Sequence, residues 1–282
     1  MTNQHSSQAM TLVLGGTGKT GRRVAERLAE AGYRTRVGSR SAQPAFDWED
    51  QASWAPALEG CSSAYIAFQP DLAVPGALAT VQAFFKVAVD AGVHKLVLLS
   101  GRGEVEAAAA EEALQKTGAD WTILRSSWFC QNFSESYFHG QILAGEVAVP
   151  LGLAAEPFVD VDDIAEIAFE ALTGSRHTRQ LYDITGPRAV GFAEAIGSIA
   201  SAAGRPVAFI EVSAADYRAA LVQQQVPPEY IDLIMYLFAT VLDGRNTPLG
   251  DGVQRALGRP PRSFEDYVRR TAASGVWGGD HA

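Results

Sequence analysis

The sequence predicts a doubly wound parallel α/β sheet with a smaller α+β lobe in its C-terminal part. Three observations predict it. Short apolar segments alternate with amphipathic helices through the first half of the chain. A glycine-rich loop joins the first apolar segment to the first helix. The segments that follow each strand collect glycine, serine and other polar residues, which such a fold gathers at the carboxyl edge of its sheet.

The first element is Thr11–Leu14, four β-favouring residues that run into Gly15-Gly16-Thr17-Gly18-Lys19-Thr20-Gly21. An amphipathic helix follows. Val24, Ala25, Leu28 and Ala31 share one face, Arg22, Arg23, Glu26, Arg27 and Glu30 take the other, and Gly32 ends it. A strand that turns through glycines into a helix N-terminus suits a pyrophosphate, because backbone N–H groups and the helix dipole both meet the anion. Gly18-Lys19-Thr20 also matches the end of a triphosphate-binding loop. That motif needs a glycine where Val13 stands, so the nucleoside-triphosphatase reading fails. Gly15, Gly16, Thr17, Gly18, Lys19, Thr20 and Gly21 are therefore expected to bind a dinucleotide.

Arg34–Val37 reads as the second strand, ending in Gly38-Ser39-Arg40-Ser41. An acid at this place binds the ribose 2′-hydroxyl of NAD; here Ser39 and Arg40 stand instead, and a guanidinium pairs with a 2′-phosphate. NADP(H) is the expected cofactor. Phe46–Asp50 reads as a short third strand, with Asp47 and Trp48 flanking the adenine. A short helix around Trp54–Leu58 precedes a strand at Ser63–Phe68. Phe68 and Gln69 then reach the sheet edge. Helix Pro75–Ala91 carries Val81, Phe84, Phe85 and Ala88 on its inner face. Lys95–Leu99 is the apolar strand of a sheet covered on both sides, and Ser100-Gly101 ends it at the cofactor. Helix Glu104–Thr117 and strand Trp121–Arg125 lead to Ser126–Phe133.

The second half is less regular. A helix starts near Asp162 with acids at its positive end, and a strand covers Leu181–Ile184. Helix Phe192–Ala203, strand Val207–Val212, helix Ala214–Gln224, a helix from Pro227-Pro228 to about Leu242 and a last helix from Arg262 follow. The expected division is a nucleotide domain over 10–128 and 156–175, with a substrate lobe over 129–155 and 185–282.

At 282 residues, 47% apolar and 20% charged, the chain reads as soluble and able to bury a large core. A net charge of −9 and a pI near 5.1 argue against nucleic acid as a partner. With no apolar run of spanning length, no membrane association is expected; the first ten residues read as a polar tail. Cys61 and Cys130 read as buried thiols of a cytoplasmic protein, and the scattered histidines predict no metal.

The GxxGxxG spacing at 15, 18 and 21 resembles that of short-chain dehydrogenase/reductases. Together with Trp121–Phe133, Pro157–Ala165 and Leu257–Tyr267, it makes the chain similar to the NmrA-like family of atypical short-chain reductases. The resemblance implies a Rossmann sheet and either an NADPH-dependent reductase or a non-catalytic NADP(H) sensor that signals to a protein partner. Reductases of the wider superfamily protonate their substrate with a Tyr-x-x-x-Lys pair. None of the eight tyrosines has lysine four residues on, and Gly103 and Ala107 stand where the pair is expected. That gap also argues against a nucleotide-sugar epimerase. A reductase reading then favours a small-molecule substrate that needs little acid catalysis: a quinone, an azo or triarylmethane dye, an imine or an activated alkene. Trp128, Phe129 and Phe133 are expected as an apolar wall, Gln131 and Asn132 as orienting groups, Ser100 as a hydrogen-bond donor, and Tyr137 or His139 as proton sources.

Overall fold

The computed structural model describes residues 10–150 and 154–278. Residues 1–9, read above as a polar tail, lie outside these. The chain divides into two compact units. One comprises the residues up to Arg125 with Asp162–Asp183 and Arg255–Leu257; the other comprises Ser126–Val161, Ile184–Gln254 and the residues from Gly258 on.

In the first unit the elements are β1 (Met10–Leu14), α1 (Lys19–Glu30), β2 (Thr35–Gly38), α2 (Trp54–Leu58), β3 (Cys61–Ile66), α3 (Ala77–Asp90), β4 (Lys95–Gly101), α4 (Val105–Gln115) and β5 (Asp120–Ser126). The second unit then contributes α5 (Tyr137–Ala144), β6 (Glu146–Val149) and β7 (Ala155–Glu156). The chain returns to the first unit with α6 (Val161–Thr173) and β8 (Gln180–Ile184).

Six strands form one sheet in the order β2-β1-β3-β4-β5-β8. β1 pairs in parallel with β2 and with β3, and β3 with β4. The order reverses between β1 and β3, the first strand leading to one side of itself and later to the other. A crevice opens beyond the carboxyl ends at such a reversal. Leu12, Leu14, Ala64, Ile66, Leu96 and Leu98 pack with Val81, Phe84, Phe85 and Leu114 in one buried core, as strands covered by helices require.

The second unit continues with β9 (Val190–Gly191), α7 (Phe192–Ala203), β10 (Ala208–Glu211), α8 (Ala214–Gln223) and α9 (Pro228–Tyr236), then the start of α10 (Gly252–Leu257), whose last three residues belong to the first unit, and α11 (Phe264–Ala273). β6 pairs in parallel with β10, and β7 antiparallel with β9. Its core is aromatic: Phe133, Phe138, Phe158, Phe192, Phe264, Tyr267 and Trp277 are all buried.

Two expectations are corrected. Phe46–Asp50 is not a strand. The Asp47 carboxylate accepts from Glu49 N at 3.1 Å and that of Asp50 from Ala52 N at 3.1 Å, local turns that take the backbone out of any ladder. The helix from Pro228 is α-helical only to Tyr236 and continues as a π turn over Leu237–Val241. In addition, α5 and β6 occupy a stretch to which the sequence pattern assigns no element, since α5 is apolar on most sides and β6 has only four residues.

Candidate functional site

The loop after β1 is fixed by its glycines. Gly15 has φ +66°, and Gly18 N donates to Gly15 O at 2.8 Å, closing the turn that presents the α1 N-terminus. A side chain at Gly16 would stand 2.7 Å from Val37 Cγ1 of β2, and a Cβ at Gly21 would overlap the Gly15 carbonyl. Glycine at 21 thus lets α1 close onto the loop, which is the cradle a pyrophosphate needs. Thr17 is exposed, Lys19 is half-buried, and Thr20 is buried beneath the helix. Gln69, from the segment after β3, places its Nε2 3.6 Å from where a Cβ on Gly18 would be. The two strand ends at the sheet reversal therefore face one another.

Beyond β2, Arg40 is exposed, and the Ser39 and Ser41 hydroxyls lie 3.3 Å apart. Arg36, the cation within β2, is committed elsewhere: its guanidinium donates to Ala57 O at 2.7 Å and Glu59 O at 2.8 Å. Trp48 is half-buried, with its ring centroid 4.9 Å from that of Phe68 and 5.2 Å from that of Phe84. Asp47 holds this loop through its backbone carbonyl, which accepts from Trp54 Nε1 at 2.7 Å.

At the end of β4, Ser100 is buried and donates its hydroxyl to Glu111 Oε1 at 2.6 Å. Glu111, itself buried on α4, is held by Arg125 of β5, whose Nε donates to the same oxygen at 2.9 Å. A serine has one proton to donate. Ser100 therefore presents an acceptor lone pair, which corrects the expectation that it donates.

The same edge carries a carboxyl pair that the sequence reading passes over. Asp71, two residues beyond Gln69, accepts from Ala73 N at 2.9 Å, and its carboxyl also lies within hydrogen-bonding reach of that of Glu104. Glu104 is the N-cap residue of α4, but its side chain makes no cap hydrogen bond; it folds back over Gly101, where any Cβ would overlap its carboxyl group. Burial, and then the negative charge of Asp71, push the Glu104 carboxyl up to about 9. Burial also raises that of Asp71. The one available signal was positional: each acid follows a strand end that the cofactor reading already uses.

A family model described as NAD(P)H-binding matches residues 15–174, more than half of the chain. The chain belongs to the NAD(P)H-binding family. This agrees with the NmrA-like resemblance of the sequence. An uncharacterized oxidoreductase of Bacillus subtilis, YesF, is 31% identical over 93% of this chain and 95% of its own length. The NAD(P)H azoreductase of Xenophilus azovorans is 28% identical over 94% of this chain and 99% of its own. The NADPH-dependent quinone oxidoreductase of Escherichia coli, solved with NADPH, shares the fold at a TM-score of 0.78 and 19% identity, over 93% of this chain and 99% of that one.

The remaining predicted residues of this NAD(P)H-binding protein lie in its second unit, where the structure corrects several roles. Phe133 is wholly buried, with ring centroids 5.2 Å from Phe138 and Phe158, so it is core and not a wall of a substrate site. Gln131 is buried and bonded at both ends of its amide: Nε2 donates to Asp160 Oδ1 at 2.8 Å and Oε1 accepts from Val161 N at 3.0 Å. These two bonds hold the segment before α6. His139 Nε2 bonds to Val276 O at 2.9 Å; because a carbonyl accepts, that nitrogen is the donor, and its proton is occupied. Trp128, Phe129 and Asn132 stay half-buried, and Tyr137 is 42% exposed. Among the described residues no group of three His, Cys, Asp or Glu is arranged to hold a metal, and no helix is long and apolar enough to cross a membrane.

Proposed function

We propose that this protein is an NADPH-dependent reductase of small electrophiles, with quinones, azo or triarylmethane dyes, imines and activated alkenes as the candidate class. The observation that carries the reading is the glycine turn at Gly15–Gly21, whose close approaches at 16 and 21 exclude side chains and bring the α1 N-terminus onto the loop, as a phosphate site requires. Full-length similarity to an azoreductase and to an oxidoreductase supports it. The loop and the α1 N-terminus would hold the pyrophosphate, Trp48 and Phe68 would flank the adenine, and Ser100 would accept a hydrogen bond at the nicotinamide end. The cofactor supplies the hydride, and the protein supplies orientation and exclusion of water. Trp128, Phe129 and Asn132 remain the candidates for substrate contact.

NADPH is preferred over NADH in this reading. Segment Gly38–Ser41 contains no acid to repel a 2′-phosphate, and Arg40 is exposed there. Arg40→Ala is expected to weaken NADPH roughly 10-fold, the size of one charge-assisted hydrogen bond at a solvated site, and to leave NADH unchanged. Titration of both nucleotides by fluorescence checks this; an equal loss for both would remove the 2′-phosphate assignment. The reading as a whole is tested by NADPH oxidation at the nicotinamide absorbance with a panel of quinones, dyes and imines. Tight binding without turnover of any class would favour a sensor instead.

A further inference from the structure

The reduction proposed above leaves a proton unaccounted for. Tyr-x-x-x-Lys is absent from the sequence, Ser100 gives its proton to Glu111, and His139 gives one to a carbonyl. Tyr137, the other expected source, lies in the second unit, whereas Asp71 and Glu104 form a pair of acids at the carboxyl edge that carries the cofactor cradle. Gln69 faces Gly15 and Gly18, Asp71 follows two residues later, and Glu104 reaches from the start of α4 over Gly101 to meet it. Two carboxyl groups in hydrogen-bonding contact cannot both ionise readily, so the pair shares one proton.

We propose that the Glu104–Asp71 pair holds this proton and that Glu104 donates it to the substrate during reduction. The proposal rests on the reductase reading. In the reduction of a quinone the substrate accepts a hydride, with its electron pair, from the reduced nucleotide, and a carbonyl π bond opens. The Glu104 O–H bond breaks heterolytically, and the proton passes to the quinone oxygen that has gained the charge. Hydroquinone and oxidised nucleotide leave, and the dianionic pair takes one proton from solvent. The charged groups that face Glu104 are Asp71 from the loop after β3 and Glu106 and Glu111 from α4; all three oppose its ionisation. Arg125 engages Glu111.

Two kinds of electrophile separate hydride from proton. A triarylmethane dye is already a cation and is discharged by hydride alone, whereas a quinone needs hydride and proton. Glu104→Gln keeps the shape of the protonated acid and its ability to donate to Asp71, so folding is retained. The expected result is a fall of about 100-fold in the ratio of quinone to dye turnover, the lower range for loss of a general acid. Asp71→Asn removes the charge that holds the proton on Glu104 and is expected to move the alkaline limb of the quinone profile to lower pH. An unchanged ratio in Glu104→Gln overturns the proposal, as does wild-type protein that reduces the dye but no quinone. Wild-type protein that reduces neither removes the reductase reading itself, and the proton donor with it.

A second readout needs no turnover. The folded chain keeps a proton on Glu104 that the unfolded chain releases near its ordinary value of 4.5, so between there and about 9 the folded state binds more protons. Stability therefore falls as pH rises through that window. Without nucleotide, the melting temperature of the wild type is expected to decline across it, and that of Glu104→Gln to decline less. Identical slopes would show that Glu104 holds no proton there and would overturn the proposal.

Discussion

Gly21→Ala is expected to weaken the binding of NADPH and NADH alike. The added Cβ would overlap the carbonyl oxygen and carbon of Gly15 and approach Gly16 Cα to 2.9 Å, below the 3.0 Å separation that real Cβ atoms keep. These are backbone atoms with no rotamer to yield, so either α1 must tilt away or the loop must open. Gly15 cannot absorb the change, since it already sits at φ +66° and accepts the hydrogen bond from Gly18 N that closes the turn. Overpacking of this kind costs about 1–3 kcal/mol. If the whole of it falls on the nucleotide cradle, affinity drops roughly 100-fold. Gly32→Ala is the internal control. It places a methyl group at a positive φ, +80°, a strain that Gly21 does not carry, but nothing lies within 4 Å of it. It is expected to lower stability slightly and to leave both affinities unchanged. Calorimetric titration of the two variants checks the pair; retained affinity in Gly21→Ala would mean that the loop does not hold the phosphates.

This loop was legible from sequence because every signal in it is local. The run Thr11–Leu14, the glycine spacing and the amphipathic pattern of Val24 and Leu28 lie within twenty or so consecutive residues, and the period of a buried helix face does not depend on what it packs against. The parallel sheet followed from the same kind of signal, repeated. The Phe46–Asp50 segment failed for a related reason. Its aromatic residues favour a strand, but the Asp47 and Asp50 carboxylates bond to backbone N–H groups two residues on and win locally. The carboxyl pair was not legible at all. Asp71 and Glu104 are separated by two elements, and only the adjacency of β3 and β4 brings their loops together. Ser100 shows the opposite limit: its place at the strand end was correct, but its direction of donation depended on Glu111, a turn and a half into α4.

Phe133→Ala is expected to destabilise the second unit without acting as a substrate-site mutation. Its position after Trp128 and Phe129 invites the reading of a continuous aromatic wall, and the sequence cannot tell a wall from a core because both are aromatic. The structure separates them by burial. Phe133 is 0% exposed, whereas Trp128 and Phe129 are half-buried. Its ring meets Phe138 and Phe158 at 5.2 Å, Phe264 at 5.6 Å and Phe192 at 6.1 Å, and its carbonyl accepts from Trp277 Nε1 at 2.9 Å. Truncation leaves a cavity lined by four rings that cannot all collapse into it, a loss of about 3–5 kcal/mol. A fall in melting temperature on the order of 10 °C follows. Phe133→Leu keeps most of the volume and is expected to lose far less. Substrate KM measured well below the transition is expected to stay at the wild-type value in both variants. A raised KM with an unchanged melting temperature would return Phe133 to the substrate site and would show that the aromatic cluster does not close around it.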